Sequence, residues 1–471
     1  MIDQDRPIAP SPRDGQLDEG GFLAIAERLS EGDLPHLLDK PSIALKFIAG
    51  SDDPATIVSE QTGVVRRSHA SLALSNLRGA IAVVVVSFHA SLAYLSSSPP
   101  APLPFNQPPF AWRAFPIIDS RRWLGFDVFC AWQDVYLMSL LFFLSALFAW
   151  PSLARKGMLK FLSDRASRLG LPFIFGVGIV APIALYPVYR TTAINPTLMD
   201  YGRSLFALPF WPNGPMWFLW ELLAFTVLGA VLCHVFPGSV VFLGRLSNST
   251  SRRPWRSFLF FAVACILAYV PLALAFTPWR WADQGPFALQ FSRPLLYALF
   301  YLLGVAIGAH GLDRGLLCED GALATHWRAL CLMAFASLLF WMGLTGWSLT
   351  YAPAPAPFIL QLVADAGFAV ACAASVMFVM GVSLKFGAFR SAILDNLSKN
   401  AMGIYLLHYL PVVWLQYALK DTDAPAVAKV VIVFGGALLV SWLATEFLRV
   451  IPFGARLIGE EATAFRPRAA V

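Results

Sequence analysis

Charged residues are scarce in this chain. Asp, Glu, Lys and Arg together make up 14% of its 471 residues, whereas hydrophobic residues make up 57%. The mean hydropathy is +0.62. Ordinary soluble domains carry about 25% charged residues, so the composition excludes that class. It predicts a polytopic membrane protein surrounded by a lipid bilayer.

Recognisable catalytic motifs are also lacking. The six cysteines show no metal-ligand spacing, so we expect neither a metal site nor a disulfide. There is no Walker loop, no Gly-x-Ser-x-Gly elbow and no His-Glu-x-x-His pair. No serine or cysteine nucleophile is visible, and any group transfer would therefore depend on histidine as base or acyl carrier.

The net charge of +6 would suit a nucleic-acid partner, but the positions of the basic residues argue against one. Lys and Arg lie in short segments between apolar stretches, where membrane topology explains them better. Alternate segments, counted from the N-terminus, hold about twice as many Lys and Arg as the others. This asymmetry predicts an inner-membrane protein with both termini in the cytoplasm.

Ten apolar stretches are long enough to be membrane helices, which predicts an all-α bundle of about ten spans. We expect a cytoplasmic, partly disordered extension over 1–70, the membrane domain over 71–457 and a cytoplasmic tail over 458–471. The stretches are 72–95, 135–153, 169–189, 216–236, 257–276, 294–309, 327–351, 358–384, 402–419 and 427–448.

The first stretch carries Arg78 and His89. They are eleven positions apart, which is about three helical turns, so both lie on nearly the same face and about 16 Å apart along the axis. Ionisable groups within a span mark a site or pathway by default. The alternatives are an Arg78 that snorkels to headgroups and a His89 that packs between helices.

Arg165 and Arg168 form a second candidate site. They are three apart, hence neighbours on one helical face at the start of the third stretch. Two guanidiniums in this position can clamp a phosphate or pyrophosphate. Topological charge and contact with anionic lipid explain them equally well.

The outer loop over 96–134 is rich in Pro, Trp and Asp. Aromatic faces beside carboxylates suit a carbohydrate surface, but tryptophans also gather at any membrane interface. The interfacial interpretation is favoured for its residues Trp112, Trp123, Trp132, Asp119, Asp127 and Asp134.

Several motifs, taken in order, resemble the acyltransferase 3 family of integral-membrane O-acyltransferases. The resemblance covers about residues 70 to 457, and within the family it is greatest to the branch that succinylates periplasmic glucans. The motifs are Arg78-x10-His89, Phe142-Phe143-Leu-Ser145, Arg165-x-x-Arg168-Leu-x-x-Pro172, Pro215-Met-Trp217-Phe-Leu, Tyr405-Leu-Leu-His408, and Glu446 followed by Pro452.

The chain departs from the family pattern at two points. Ala146 follows Ser145 where the family has glycine, which adds a methyl group at a point of close packing. No soluble hydrolase-like domain follows the last span, so one type of helper for acyl transfer is lacking.

The resemblance implies a donor and a route for the acyl group. Acyl-CoA, as acetyl-CoA or succinyl-CoA, would place its phosphates among Arg165, Arg168 and Arg78 at the cytoplasmic end. The thioester would extend toward His89, which would act as base or acyl carrier for a carbohydrate hydroxyl.

Three further side chains are candidates for substrate binding. His408 and Glu446 lie within spans and could pair with arginine or orient substrate, but a hydrogen bond between helices serves equally well. Trp217 could stack on a sugar or anchor at the interface. The alternative to the acyltransferase is a proton-coupled secondary transporter or flippase for a polar substrate, although no inverted repeat is visible.

Overall fold

The computed structural model describes residues 68–194, 196–236, 238, 254–312, 315–351 and 356–460. The predicted N-terminal extension up to residue 67, and the predicted tail from residue 461, lie outside the described residues. Part of the segment that joins the fourth and fifth stretches, 239–253, lies outside them as well.

The described chain is almost wholly helical, with one antiparallel hairpin. In chain order the elements are α1 (His69–Ser91), α2 (Leu124–Ala146), α3 (Ala149–Lys156), α4 (Met158–Arg165), α5 (Leu171–Phe175), α6 (Ala181–Arg190), α7 (Leu198–Phe206), α8 (Trp217–Val235), α9 (Pro254–Phe276), β1 (Trp281–Gln284), β2 (Phe287–Gln290), α10 (Pro294–His310), α11 (Ala322–Thr325), α12 (Trp327–Tyr351), α13 (Phe358–Phe386), α14 (Ala392–Leu407), α15 (Tyr409–Leu419), α16 (Ala426–Val450) and α17 (Pro452–Leu457).

Within the described ranges, eight helical segments are long and apolar enough to cross a membrane, and two bent helix pairs bring the number to as many as ten. The bent pairs are Pro294–His310 with Gly315–Thr325, and Ala392–Leu407 with Tyr409–Leu419. The predicted all-α polytopic membrane fold is confirmed.

Three predicted boundaries are wrong. One is that of the ninth span, which begins at Ala392 instead of the predicted 402. The second span begins at Leu124, so residues 124–134 are helical and the predicted loop over 96–134 is shorter than expected. Asp127 and Gln133 lowered the hydropathy of this stretch, although a helix tolerates them. The third span begins at Met158, eleven residues before the predicted 169, because its charged first turns are helical too.

The third span contains two wider, π-helical turns, Ala166–Gly170 and Gly176–Val180. Each lies just before a proline, Pro172 or Pro182. A proline has no N–H to donate to the carbonyl four residues earlier, and its ring clashes with that carbonyl. The wider turn absorbs this clash, and the first one immediately follows Arg165.

Helices α2 and α10 approach closely, despite the alanine that replaces the family's glycine at position 146. A Cβ atom at Gly308 would lie 1.9 Å from the Leu147 carbonyl oxygen, and one at Gly304 would lie 2.4 Å from that of Phe143. The close approach therefore depends on Gly304 and Gly308, a pair spaced four apart as in membrane helix pairs.

The ninth span bends by 61° between α14 and α15, at His408. Pro411 lies four residues after Leu407, so it cannot donate to that carbonyl and its ring pushes against it. The helix is interrupted there and resumes with the N–H of Val412 donating to the carbonyl of His408 at 3.1 Å. This break places His408 inside the bundle, fully buried.

The loop between α1 and α2 is fixed by buried polar contacts rather than lying at an interface as expected. Trp112 is 2% exposed and stacks on Phe105. Asp119 forms an ion pair of 2.7 Å with Lys429 of α16, and both side chains are fully buried. The interfacial interpretation is therefore wrong for Trp112.

The β1–β2 hairpin lies at the same end of the bundle. Its register pairs Gln284 with Phe287, so the turn is Gly285-Pro286. Gly285 has a φ of 56°, a conformation that favours glycine. Arg113 binds Asp283 through two hydrogen bonds of 2.7 and 2.8 Å, which fixes the hairpin to the loop before α2.

Candidate active site

The candidate residues fall at two ends of the bundle. One end, here called the histidine end, contains His89, the loop after α1 and the β1–β2 hairpin. The opposite end, here called the arginine end, contains Arg78 and the first turns of the third span. Helix α1 joins them, since Arg78 and His89 both belong to it.

His89 and His408 are brought into direct contact. His408 Nε2 lies 3.2 Å from His89 Nδ1, although the two residues are 319 positions apart in the chain. The His89 side chain is half-buried, whereas His408 is fully buried. The two histidines that the sequence suggested separately form one pair.

The hydrogen-bond network assigns a tautomer to each ring. His408 Nδ1 lies 2.7 Å from the carbonyl oxygen of Tyr405, which can only accept, so Nδ1 carries the hydrogen and Nε2 the lone pair. His89 Nδ1 lies 2.9 Å from the carbonyl oxygen of Val85, so it is also protonated. It donates to Val85 and to His408 Nε2, and the lone pair of His89 is therefore on Nε2.

The pair is held by its neighbours. Gln416 Nε2 of α15 donates to the carbonyl oxygens of His89 and Ala90, at 2.9 and 3.2 Å, which fixes the end of α1 to α15. The ring of Tyr409 lies 5.9 Å from that of His89 in an edge-on arrangement. A half-buried imidazole with one fixed N–H and one basic nitrogen is suited to take a proton from a substrate.

At the arginine end, Arg78, Arg165 and Arg168 form a positive cluster. Arg165 lies within electrostatic range of both Arg78 and Arg168. Arg78 and Arg168 are exposed and Arg165 is half-buried. The guanidiniums of Arg78 and Arg165 lie 5.5 and 5.3 Å from the ring centres of Phe148 and Phe161.

A carboxylate next to this cluster forms ion pairs with two lysines and not with the arginines. Asp164 binds Lys156 at 2.5 Å and Lys160 at 3.0 Å. The local charge at the arginine end therefore stays positive, which favours a polyanionic ligand.

Glu446 lies at the arginine end. It belongs to the last turns of α16, whereas Lys429 in the first turn of the same helix lies at the histidine end. Its Oε1 accepts from Asn400 at 2.7 Å and from Asn396 at 3.1 Å. Arg449 lies 3.5 Å from the same carboxylate and is held by Glu460 at 2.5 Å. These contacts connect α14, α16 and the segment after α17.

Trp217 is half-buried at the start of α8 and contacts other aromatic rings. Its ring centre lies 5.5 Å from Trp281 of β1 and 6.1 Å from Tyr297 of α10. Among the residues described, no group of three or more His, Cys, Asp or Glu side chains is arranged to hold a metal ion.

Sequence reasoning missed Tyr405, Gln416 and Glu221. The first two are ordinary residues of a span, and only the bend at His408 gives them their contacts. Glu221 gave a usable signal, because it is an ionisable residue inside the fourth apolar stretch.

The chain belongs to the acyltransferase family. Residues 71–446 match the family described as acyltransferase domain, which covers most of the membrane-spanning bundle. Comparison with curated proteins and with solved structures gave no significant match. The protein is thus a multi-pass membrane acyltransferase, and this match favours the acyltransferase prediction over the transporter or flippase.

Proposed function

We propose that this protein transfers an acetyl or succinyl group from acyl-CoA to a carbohydrate hydroxyl, with His89 as general base. The observation that carries the proposal is the His89–His408 hydrogen bond of 3.2 Å, with His89 Nδ1 also 2.9 Å from the Val85 carbonyl. This arrangement fixes the ring and leaves Nε2 basic, as the orienting partner does in a catalytic triad.

In the proposed reaction, His89 Nε2 takes the proton of the acceptor hydroxyl while the hydroxyl oxygen attacks the thioester carbonyl carbon. The new carbon–oxygen ester bond forms and the carbon–sulfur bond breaks. The imidazolium then returns its proton to the leaving thiolate, which gives the acyl ester, free CoA and neutral His89. During the step, Val85 and His408 accept from the Nδ1–H and stabilise the positive ring.

The arginine end supports the proposed donor site. Acyl-CoA carries several phosphates, and the cluster of Arg78, Arg165 and Arg168 offers complementary charge. The distance from Arg78 to His89 along α1 is about 16 Å, which the extended pantetheine arm must cross to present the thioester. The roles of these residues, and of Trp217, His408 and Glu446, are part of the proposal.

The basic residues support an orientation with the arginine end in the cytoplasm, where acyl-CoA is made. The acceptor would then approach from the outer side of the inner membrane. The motif around His89 and the run from Glu446 to Pro452 resemble the branch that succinylates glucans, so we propose a glucan as the first acceptor to test.

The test uses purified full-length protein with labelled acetyl-CoA and succinyl-CoA, with and without a glucan. We expect transfer of label to the glucan by the unaltered protein. In His89→Ala we expect a loss of about 10²–10⁴-fold in kcat, the usual contribution of a general base, with CoA affinity retained. Turnover at the original rate in His89→Ala would overturn the proposed mechanism.

A further inference from the structure

Glu221 is a buried carboxyl group that the reaction step above does not use. It lies on α8 with 4% of its surface exposed, and its Oε2 is buried without a hydrogen-bond partner in the described structure. Leaving such an atom unpaired is energetically unfavourable, and more so when the group is charged. An unpaired group of this kind inside a bundle indicates a binding site.

This carboxyl group shares a face of α8 with Trp217, which contacts two further aromatic rings. Trp217 precedes Glu221 by four residues, so both lie on the same face of α8. That face points to Tyr297, since the Trp217 ring stacks on Tyr297 at 6.1 Å and Glu221 acts electrostatically on Tyr297. Trp281 completes the group, 5.5 Å from Trp217.

The tryptophans are the accessible part of this group. Trp217 and Trp281 are half-buried, whereas Tyr297 and Glu221 are buried. A ligand that reached this group from the histidine end would therefore contact the two indoles before the buried carboxyl group. The Tyr297 oxygen accepts from Arg293 at 3.3 Å, which leaves its own O–H to donate.

The hairpin that carries Trp281 is held on α8 and the segment before it. Trp220 Nε1 donates to the carbonyl of Ala288 at 2.9 Å, and Asn213 Nδ2 donates to that of Pro286 at 2.9 Å. The two tryptophans are therefore fixed relative to each other, as a preformed binding surface requires.

A continuous series of ring contacts joins this group to the histidine pair. Tyr297 stacks on Phe142 at 4.8 Å, Phe142 meets Phe218 at 4.8 Å, and Phe218 meets Tyr405 at 5.8 Å. The Tyr405 ring lies 6.0 Å from that of His408. Packed aromatic rings thus connect Tyr297 of the Glu221 group to the His89–His408 pair.

We propose that Glu221, Tyr297, Trp217 and Trp281 form a subsite that binds one sugar ring of the acceptor. The apolar face of a pyranose would stack on the indoles, while its hydroxyl groups would form hydrogen bonds with the Glu221 carboxyl group and accept from Tyr297. This inference rests on the proposed function, because it assigns a place to the acceptor of that reaction. It adds Glu221, Tyr297 and Trp281 to the candidate residues.

The first experiment measures binding without transfer. Full-length protein in detergent, with no acyl donor present, is titrated with short glucose oligosaccharides, and the Kd is compared among variants. We expect Glu221→Ala and Trp281→Ala each to weaken sugar binding about tenfold or more, because the first removes the hydrogen-bonding carboxyl group and the second removes a stacking face. CoA affinity should not change.

The matched control is Trp279→Ala. Trp279 lies two residues before Trp281, but its side chain is 59% exposed. It should bind sugar like the unaltered protein. Glu221→Leu, monitored by Tm, tests the structural explanation: a higher Tm with unchanged sugar affinity in both Glu221 variants would overturn the subsite.

Other outcomes separate this inference from the proposed function. Loss of CoA affinity instead of sugar affinity would assign the Glu221 group to the donor arm and overturn the subsite. Failure of the unaltered protein to bind any glucose oligosaccharide would also overturn it, even if acyl transfer to another hydroxyl occurs. Sugar binding that depends on Glu221, without acyl transfer to sugar, would support the subsite and contradict the proposed reaction.

Discussion

At the scale of single residues, the Val85 carbonyl and His408 together fix which nitrogen of His89 is basic. Because His408 Nδ1 bonds to the Tyr405 carbonyl, its Nε2 can only accept, and it accepts from His89 Nδ1. A histidine at position 408 with a free Nδ1 could present either nitrogen. The bend of the ninth span therefore has a chemical consequence at His89.

We predict that His408→Phe lowers kcat by up to about 10²-fold, the effect of misplacing a catalytic group by about 1 Å, with little change in the KM for acyl-CoA. His408→Gln, whose amide oxygen can accept from His89, should retain more activity. The measurement is steady-state kinetics at equal protein concentration.

The control for this prediction is His326→Phe. Like His408, His326 bonds through Nδ1 to a backbone carbonyl of its own helical segment, here that of Ala322 at 3.0 Å. Its ring packs against Trp255 and does not contact His89. It should leave kcat unchanged. Equal losses of kcat in His408→Phe and His408→Gln, together with a lower Tm, would indicate that His408 only packs between helices.

The arginine cluster gives a second prediction at this scale. Replacing Arg165 and Arg168 together with Gln should weaken CoA binding, and the loss should be larger at low salt, because salt screens partly exposed charges. The measurement is the Kd for CoA over a series of salt concentrations. Lys160→Gln is the control, since Lys160 is bound to Asp164. Unchanged CoA affinity in the double variant would leave these arginines a role in topology only.

At the scale of helices, the contact between α2 and α10 depends on the absence of side chains at Gly304 and Gly308. The backbone of α2 occupies the space that a Cβ atom would need. Ala146 is accommodated in this contact, so the methyl group that departs from the family pattern does not separate the helices. Both helices also position polar groups of the histidine end, since Asp134 of α2 binds Arg293 just before α10 at 2.5 Å.

We predict that Gly308→Ala destabilises the protein by about 1–3 kcal/mol or more, because the added methyl group must displace backbone atoms. Gly343→Ala is the matched control: nothing lies within 4 Å of a Cβ atom there, and alanine favours a helix by about 0.5–1 kcal/mol over glycine. Tm in detergent should fall for the first and not for the second. An unchanged Tm in Gly308→Ala would contradict the close packing described.

At the scale of the whole molecule, labelling of cysteines at the two ends reports the orientation across the membrane. Cys130 is buried, with 6% exposure, so it is a poor target for a thiol reagent despite its position near the histidine end. Cysteines introduced at exposed positions of the two ends are better reporters of the orientation. Gln107 is exposed at the histidine end, and the Lys160 side chain is 69% exposed at the arginine end.

We predict that a membrane-impermeant thiol reagent labels Gln107→Cys on intact cells and labels Lys160→Cys only after permeabilisation. The partly exposed native Cys318 and Cys331 are first replaced by serine. The expectation follows from the excess of Lys and Arg in the segments assigned to the cytoplasm. The reverse labelling pattern would invert the orientation and place the donor site outside.

The membrane class and the all-α fold could be predicted from the sequence, because hydropathy is a local property. Span boundaries were less accurate where polar residues such as Asp127 lie inside a helix. The bends in the helices could be predicted only in part. Pro411 indicates a break in the ninth span, but the sequence does not show that the break brings His408 to His89.

The sequence by itself determined that the chain spans the membrane and that Arg78 and His89 share one helix, since helical geometry follows from spacing alone. Only the tertiary structure decided which distant side chains meet. It paired His89 with His408, kept Glu446 at the opposite end with Asn396 and Asn400, and brought Glu221 close to Tyr297. These contacts depend on how helices pack across long chain separations, and apolar periodicity carries no information about that packing.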